Sequence, residues 1–262
     1  MSAKSDVEVA DARIEFLCDG AGDAVVLIPG GGCDASYFEG LARRIARAGF
    51  RAVAMNPRGA GASTGRLEGL TLHTLAADVA AVIEALGARP VHVLGHGISN
   101  RVAQCLAVDR PDLVRSVILL AGVGLIAPTP EVVRALQAWF GVVDTTEADR
   151  AEATKALVAD PAAAEQVFRQ VKRWPSAAAA VRAADRATPQ NDWMEPPHDV
   201  AFLVVQGLKD RVAPPEHGRA FRERLGPRVQ VVDIPDAGHM VFLEQPEPVA
   251  DAIVSFLRQQ AA

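Results

Sequence analysis

Six short apolar runs set the frame: Val25–Ile28, Ala52–Met55, Val91–Leu94, Val117–Leu120, Phe202–Val205 and Val229–Asp233. Most are apolar on consecutive residues, and a strand of that kind must be covered on both faces, as in a parallel sheet flanked by helices. Stretches with helical periodicity lie between them. Phe38, Leu41 and Ile45 recur at spacings of three and four before Gly49, and Leu72, Leu75, Val79, Val82, Ile83 and Leu86 form a stripe ended by Gly87. Val249, Ile253, Phe256 and Leu257 mark the last helix. Strands alternating with amphipathic helices predict an α/β fold. An edge hairpin over Val7–Cys18 is expected to precede the series.

One stretch breaks the alternation. Residues 124–198 carry no strand-like run, only Ala-rich helical segments punctuated by prolines. This predicts an α/β core over residues 1–123 and 199–262, with residues 124–198 inserted as a helical lid. The chain's 262 residues suffice for such a core without disulfide staples. A net charge of −5 argues against nucleic acid as the main partner, since a phosphate-binding surface needs a basic face. Cys18, Cys33 and Cys105 form no CxxC pair, and an odd count suits a reducing compartment. The first residues show no apolar stretch of signal-peptide length, and the longest apolar run, Val117–Ala127, is too short to cross a bilayer. A cytoplasmic protein with a small-molecule substrate, no membrane partner and no metal is expected; a homo-oligomer stays open.

The chemistry concentrates in four segments. In VHVLGHGISN (Val91–Asn100) a buried strand meets a helix start with glycines at the joint. A nucleophile elbow, Gly-x-nucleophile-x-Gly, has this context. Aligned on Gly95 and His96, the nucleophile position falls on Gly97, which has no atom to attack a carbonyl, and Ser99 stands where the second glycine usually sits. A register slip would make Ser99 the nucleophile, about half a helical turn past the elbow. QGLKDRVAPP (Gln206–Pro215) follows a strand and carries Asp210, and PDAGHMVFL (Pro235–Leu243) follows the last strand and carries His239. The order nucleophile position, acid, base matches one of the known triad orders. IPGGGC (Ile28–Cys33) supplies a glycine loop whose backbone N–H groups can approach a substrate oxygen, with Gly31 and Ile98 the expected oxyanion donors.

With these motifs the chain resembles the α/β-hydrolase superfamily, in particular its lid-bearing members such as lactonases, esterases and epoxide hydrolases. NPRGAGASTG (Asn56–Gly65) is similar to the family's D-x-R-G-x-G-x-S loop and DAGHM (Asp236–Met240) to its Gly-His motif. The resemblance covers residues 7–123 and 199–262. It implies a mostly parallel eight-stranded sheet flanked by helices, with a helical lid. The sequence departs from the family at Gly97 and at Pro29-Gly30, where the family has His-Gly.

Each candidate has a plainer reading. Asp is a common turn residue, so Asp210 can be a turn former, and His239 can be a surface histidine. His96 reads as packed under the elbow, and His73, His92, His198 and His217 as structural or solvated. Cys33 lies beside the oxyanion loop and is a candidate for the substrate pocket, or for a substitute thiolate nucleophile. The lid holds Trp139, Trp174 and Trp193, together with Phe140, as candidate pocket walls.

Two classes of function remain. The first is an enzyme on an ester, lactone or related carbonyl compound, with Asp210 orienting His239 as general base and no covalent intermediate. The second is a ligand-binding pseudoenzyme on the same fold. A serine hydrolase whose nucleophile has been replaced would give the same sequence. No cofactor is implied, because the glycine-rich segments lack a phosphate-binding Lys and a GxGxxG joint.

Overall fold

The computed structural model describes residues 3–122, 126, 128–197 and 199–260. Among the described residues nine strands form one sheet: β1 (Ala3–Val9), β2 (Ala12–Asp19), β3 (Ala24–Ile28), β4 (Arg51–Met55), β5 (Thr64–Gly65), β6 (Val91–His96), β7 (Val114–Leu120), β8 (Ala201–Gly207) and β9 (Val229–Ile234). Their order is β1-β2-β4-β3-β6-β7-β8-β9, with the two-residue β5 paired to β2. From β4 to β9 the neighbours run parallel, while β2 is antiparallel to β1, β4 and β5. The hairpin begins at Ala3 rather than Val7, because β1 is an exposed edge strand whose polar residues carry no burial pattern. The two-residue β5 is an addition to the expected eight strands.

Side chains alternate across the sheet, so the consecutive apolar residues of each strand feed two cores. Val25, Leu27, Leu94, Ile118, Leu120, Leu203 and Val205 face α1 (Glu39–Arg47) and the C-terminal helix. Val26, Ile28, Val93, Val117, Leu119, Phe202 and Val204 face α2 (Leu72–Leu86) and α3 (Ser99–Asp109). Thr71 and Thr74 form a reciprocal cap at the start of α2, and Gly87 ends it in the left-handed region at φ 65°. The Asn56–Gly65 loop is tied down structurally: buried Arg58 forks onto Asp78 of α2 at 2.6 and 2.9 Å, and Asn56 accepts the Ala35 N–H at 2.7 Å.

Between β7 and β8 lie α4 (Pro130–Trp139), α5 (Glu147–Leu157), α6 (Ala164–Phe168), α7 (Pro175–Ala187) and α8 (Asn191–Met194). The last three helices are α9 (Glu216–Leu225), α10 (Val241–Glu244) and α11 (Pro246–Gln260). Among the described residues, no helix is long and apolar enough to cross a membrane.

Candidate active site

The strand β6 runs straight into α3 through Gly97, which sits at φ +56°. Such a turn needs Gly95 as well, because a Cβ there would lie 2.5 Å from the Ser99 carbonyl oxygen. At Gly97 the position of a Cβ points at His239, 3.1 Å from Nε2. The side chain that follows, Ile98, packs over Gly31. Ser99 faces away, its buried hydroxyl donating to the Pro29 carbonyl. The register slip that would make Ser99 the nucleophile therefore does not occur.

His239 follows β9, and Asp210 follows β8, so the parallel sheet delivers both from adjacent strand ends. His239 Nδ1 lies 2.9 Å from Asp210 Oδ2, with both residues buried. The Nδ1 side of the ring is thus held by Asp210, and Nε2 is aimed at position 97. Asp210 Oδ1 also accepts the N–H groups of Val212 and Ala213, both at 2.8 Å, and Gln206 Nε2 donates to Oδ2 at 3.2 Å. Asp210 does fold its own turn, as a plain turn former would, and the same carboxylate reaches the imidazole.

A relay of hydrogen bonds joins the glycine loop to the His239 loop. The Gly30 N–H donates to Tyr37 Oη, the Tyr37 hydroxyl donates to His96 Nδ1 at 3.0 Å, and His96 Nε2 donates to the His239 carbonyl at 3.0 Å. Burial, with the neighbouring His239, pushes the His96 pKa down to about 3, so the ring stays neutral and keeps this tautomer. Glu244 holds the other side, accepting the N–H groups of Gly238 at 2.9 Å and Ala159 at 2.7 Å. Tyr37 and Glu244 carry no motif of their own, and only their backbone contacts in the fold mark them.

Gly30 is thus already engaged, whereas the N–H groups of Gly31 and Ile98 donate to no acceptor among the described residues. The glycine loop also lies under α7. A Cβ on Gly31 would meet Val181 Cγ1 at 2.5 Å, and one on Gly32 would meet Ala178 Cβ at 2.5 Å. Trp174 N–H donates to the Gly32 carbonyl at 2.8 Å and locks that contact.

These groups open onto a cavity of about 240 Å³ lined by Gly31, Gly97, Ile98 and His239 below and by Val133, Leu136, Phe140 and Arg182 above. Cys33 lines it too, but burial pushes its thiol pKa well up, which opposes the thiolate reading. The tryptophans are a correction: none of the three lines this cavity. Trp193 is buried against α3 with the Arg101 guanidinium 5.2 Å from its ring centroid. Trp174 Nε1 donates to Asp34 at 3.1 Å, and Trp139 packs between Phe168 and Arg173 on a different face. Each ring is engaged outside the cavity.

The other histidines divide. His92 is buried in β6 beside Ser116 and burial pushes its pKa down to about 4; His217 is buried on α9; His198 lies outside the described residues. His73 sits in a paired network. Its Nδ1 lies 2.8 Å from Asp109 and its Nε2 3.2 Å from Asp192, with Cys105 Sγ 3.3 Å from Nδ1. The ligand-type atoms of His73, Cys105 and Asp109 lie within 4.8 Å of one another and are joined by hydrogen bonds. The Asp109 bond raises the His73 pKa, aided by Asp192. A raised histidine contributes stability that is full below its unfolded pKa of about 6.5 and lost as pH rises through the folded value. The gap in Tm between the native protein and His73→Gln is therefore expected to be widest near pH 5.5 and to close by pH 9. A gap that stays constant across that range would contradict the assignment.

The profile described as "Alpha/beta hydrolase family" matches residues 25–252. A protein of Mycobacterium tuberculosis (strain H37Rv) described as a non-heme bromoperoxidase, BpoC, is 32% identical over 250 residues, covering 91% of this chain and 95% of that protein. Rhodomycin D methylesterase DauP of Streptomyces sp. (strain C5) is 27% identical, covering 93% and 94%. The solved esterase of Thermogutta terrifontis superposes with a TM-score of 0.77 at 24% identity, covering all of both chains, which is a likeness of fold. The chain belongs to the alpha/beta hydrolase family and is related to proteins described as a bromoperoxidase and a methylesterase.

Proposed function

We propose that the protein hydrolyses a small ester, lactone or related carbonyl compound without a covalent intermediate, using Asp210 and His239 as a dyad over Gly97. The observation that carries this reading is the buried Asp210–His239 hydrogen bond with Nε2 turned toward a position that has no side chain. A water above Gly97 loses a proton to His239 Nε2 as its oxygen attacks the carbonyl carbon. Asp210 stabilises the imidazolium that forms. The carbonyl oxygen gains the negative charge and is met by the Gly31 and Ile98 N–H groups. When the tetrahedral intermediate collapses, the leaving oxygen departs with the proton from Nε2, and acid, alcohol and neutral His239 are restored.

The helices α4 to α8, between β7 and β8, act as the lid over this site. The supporting observation is that Val133, Leu136 and Phe140 from the α4 region and Arg182 from α7 wall the cavity opposite His239. Water exclusion by that wall strengthens every electrostatic contact beneath it.

The test is turnover of p-nitrophenyl acetate with intact-mass analysis. Product is expected to form linearly with no pre-steady-state burst, and the protein mass is expected to stay unchanged. An acetyl adduct on the protein during turnover would overturn the non-covalent route.

A further inference from the structure

The cavity above His239 also holds a cation, Arg182, whose nearby carboxylate, Asp185, is hydrogen-bonded to another arginine. Arg182 lines it, and among the described residues its guanidinium makes no hydrogen bond or ion pair. Its neighbour is the face of Phe140, with Cζ 5.5 Å from the ring centroid. Asp185 lines the same cavity but is taken by Arg101. Arg101 Nε is itself buried without a partner. The lining thus carries Arg101, Arg182 and Arg186 against the single carboxylate of Asp185. Burial, with Arg186 nearby, pulls the Arg182 pKa down from its usual value.

A partly desolvated cation without a partner is unfavourable, and two other arginines withdrawn from solvent, Arg58 and Arg101, are paired with Asp78 and Asp185. Removing that cost is something a ligand can do. A guanidinium fork matches the two oxygens of a carboxylate, and apolar walls at Leu136, Leu157 and Val212 suit the carbon chain behind it. We propose that Arg182 anchors a free carboxylate on the substrate, so that the compounds handled here are esters, lactones or related carbonyl compounds that also bear an acid group. This rests on the reading that the His239 cavity is the reaction site. Arg186 lines the same cavity, exposed and also without a partner among the described residues, so charge alone does not set the anion; the apolar walls behind the half-buried Arg182 favour a carboxylate on a carbon chain over inorganic phosphate.

Binding of hexanoate and of its neutral isostere hexanamide, measured by calorimetry, tests the anchor without requiring turnover. The native protein is expected to prefer hexanoate by about 10- to 100-fold, the size of a charge-assisted hydrogen-bonded pair. Arg182→Gln is expected to erase the preference while hexanamide still binds, which shows that the cavity is intact. Arg182→Lys keeps part of the preference, as a point charge without the fork. Equal affinity for the two compounds in the native protein, or a preference that survives Arg182→Gln, overturns the proposal. The preference is expected to persist in His239→Ala. Ester turnover without charge preference therefore removes the anchor and leaves hydrolysis standing; charge preference without turnover does the reverse.

Discussion

His239→Ala is expected to lower kcat/KM for p-nitrophenyl acetate by roughly 10²–10⁴-fold, the contribution of a positioned general base. Nε2 is the atom that takes the proton, and nothing else beside Gly97 can replace it. His96 is the nearest imidazole, at 4.9 Å between ring centroids, but both its nitrogens are engaged and its pKa is pushed down to about 3. The loss should fall mainly on kcat, because the Gly31 and Ile98 N–H groups and the apolar walls that bind substrate are untouched. His239 is buried and its main chain is held independently by His96 and by Met240 N–H donating to Leu157 O at 2.9 Å, so the loop should keep its place. A variant that retains more than half the native kcat would remove His239 from the mechanism.

Gly97→Ser should convert the site to covalent chemistry at a cost in stability. An L side chain at φ +56° costs about 1–2 kcal/mol. The new Cβ would stand 3.1 Å from His239 Nε2, so the ring must give by a few tenths of an ångström. Together these are expected to lower Tm by roughly 2–8 °C. The introduced hydroxyl would lie beside Nε2, the arrangement that activates a serine. The variant is expected to release a stoichiometric burst of p-nitrophenol, to carry an acyl adduct by mass, and to react with a fluorophosphonate to which the native protein is inert. If the variant folds and stays unlabelled while the native protein turns over, position 97 does not occupy the elbow's reactive point.

Much of the site was legible because its chemistry follows strand ends. Gly97, Asp210 and His239 each follow a run of apolar residues, and a parallel sheet brings such ends to one edge. The tryptophans were not legible in that way. A helix places a residue on the segment but leaves its face to packing, and Trp193 turned toward α3 and Arg101 while Trp174 turned toward Asp34. Tyr37 and Glu244 act through backbone groups of Gly30 and Gly238, partners that a side-chain pattern does not record. The polar edge strand β1 extends beyond its apolar residues because an exposed strand has no burial to leave a mark in the sequence.

By itself the sequence determined the α/β architecture, the order of the chemical segments and the absence of a side chain at position 97. Those are local properties: periodicity, glycine at a tight turn, and residue type. The tertiary structure alone decided that Nε2 of His239 faces Gly97 and that Gly31 and Gly32 are small because α7 rests on them. It also left Arg182 unpaired above the cavity while Asp185, three residues on, went to Arg101. Pairing of charges depends on distances between segments far apart in the chain, and those distances exist only once the sheet and the helices above it have packed.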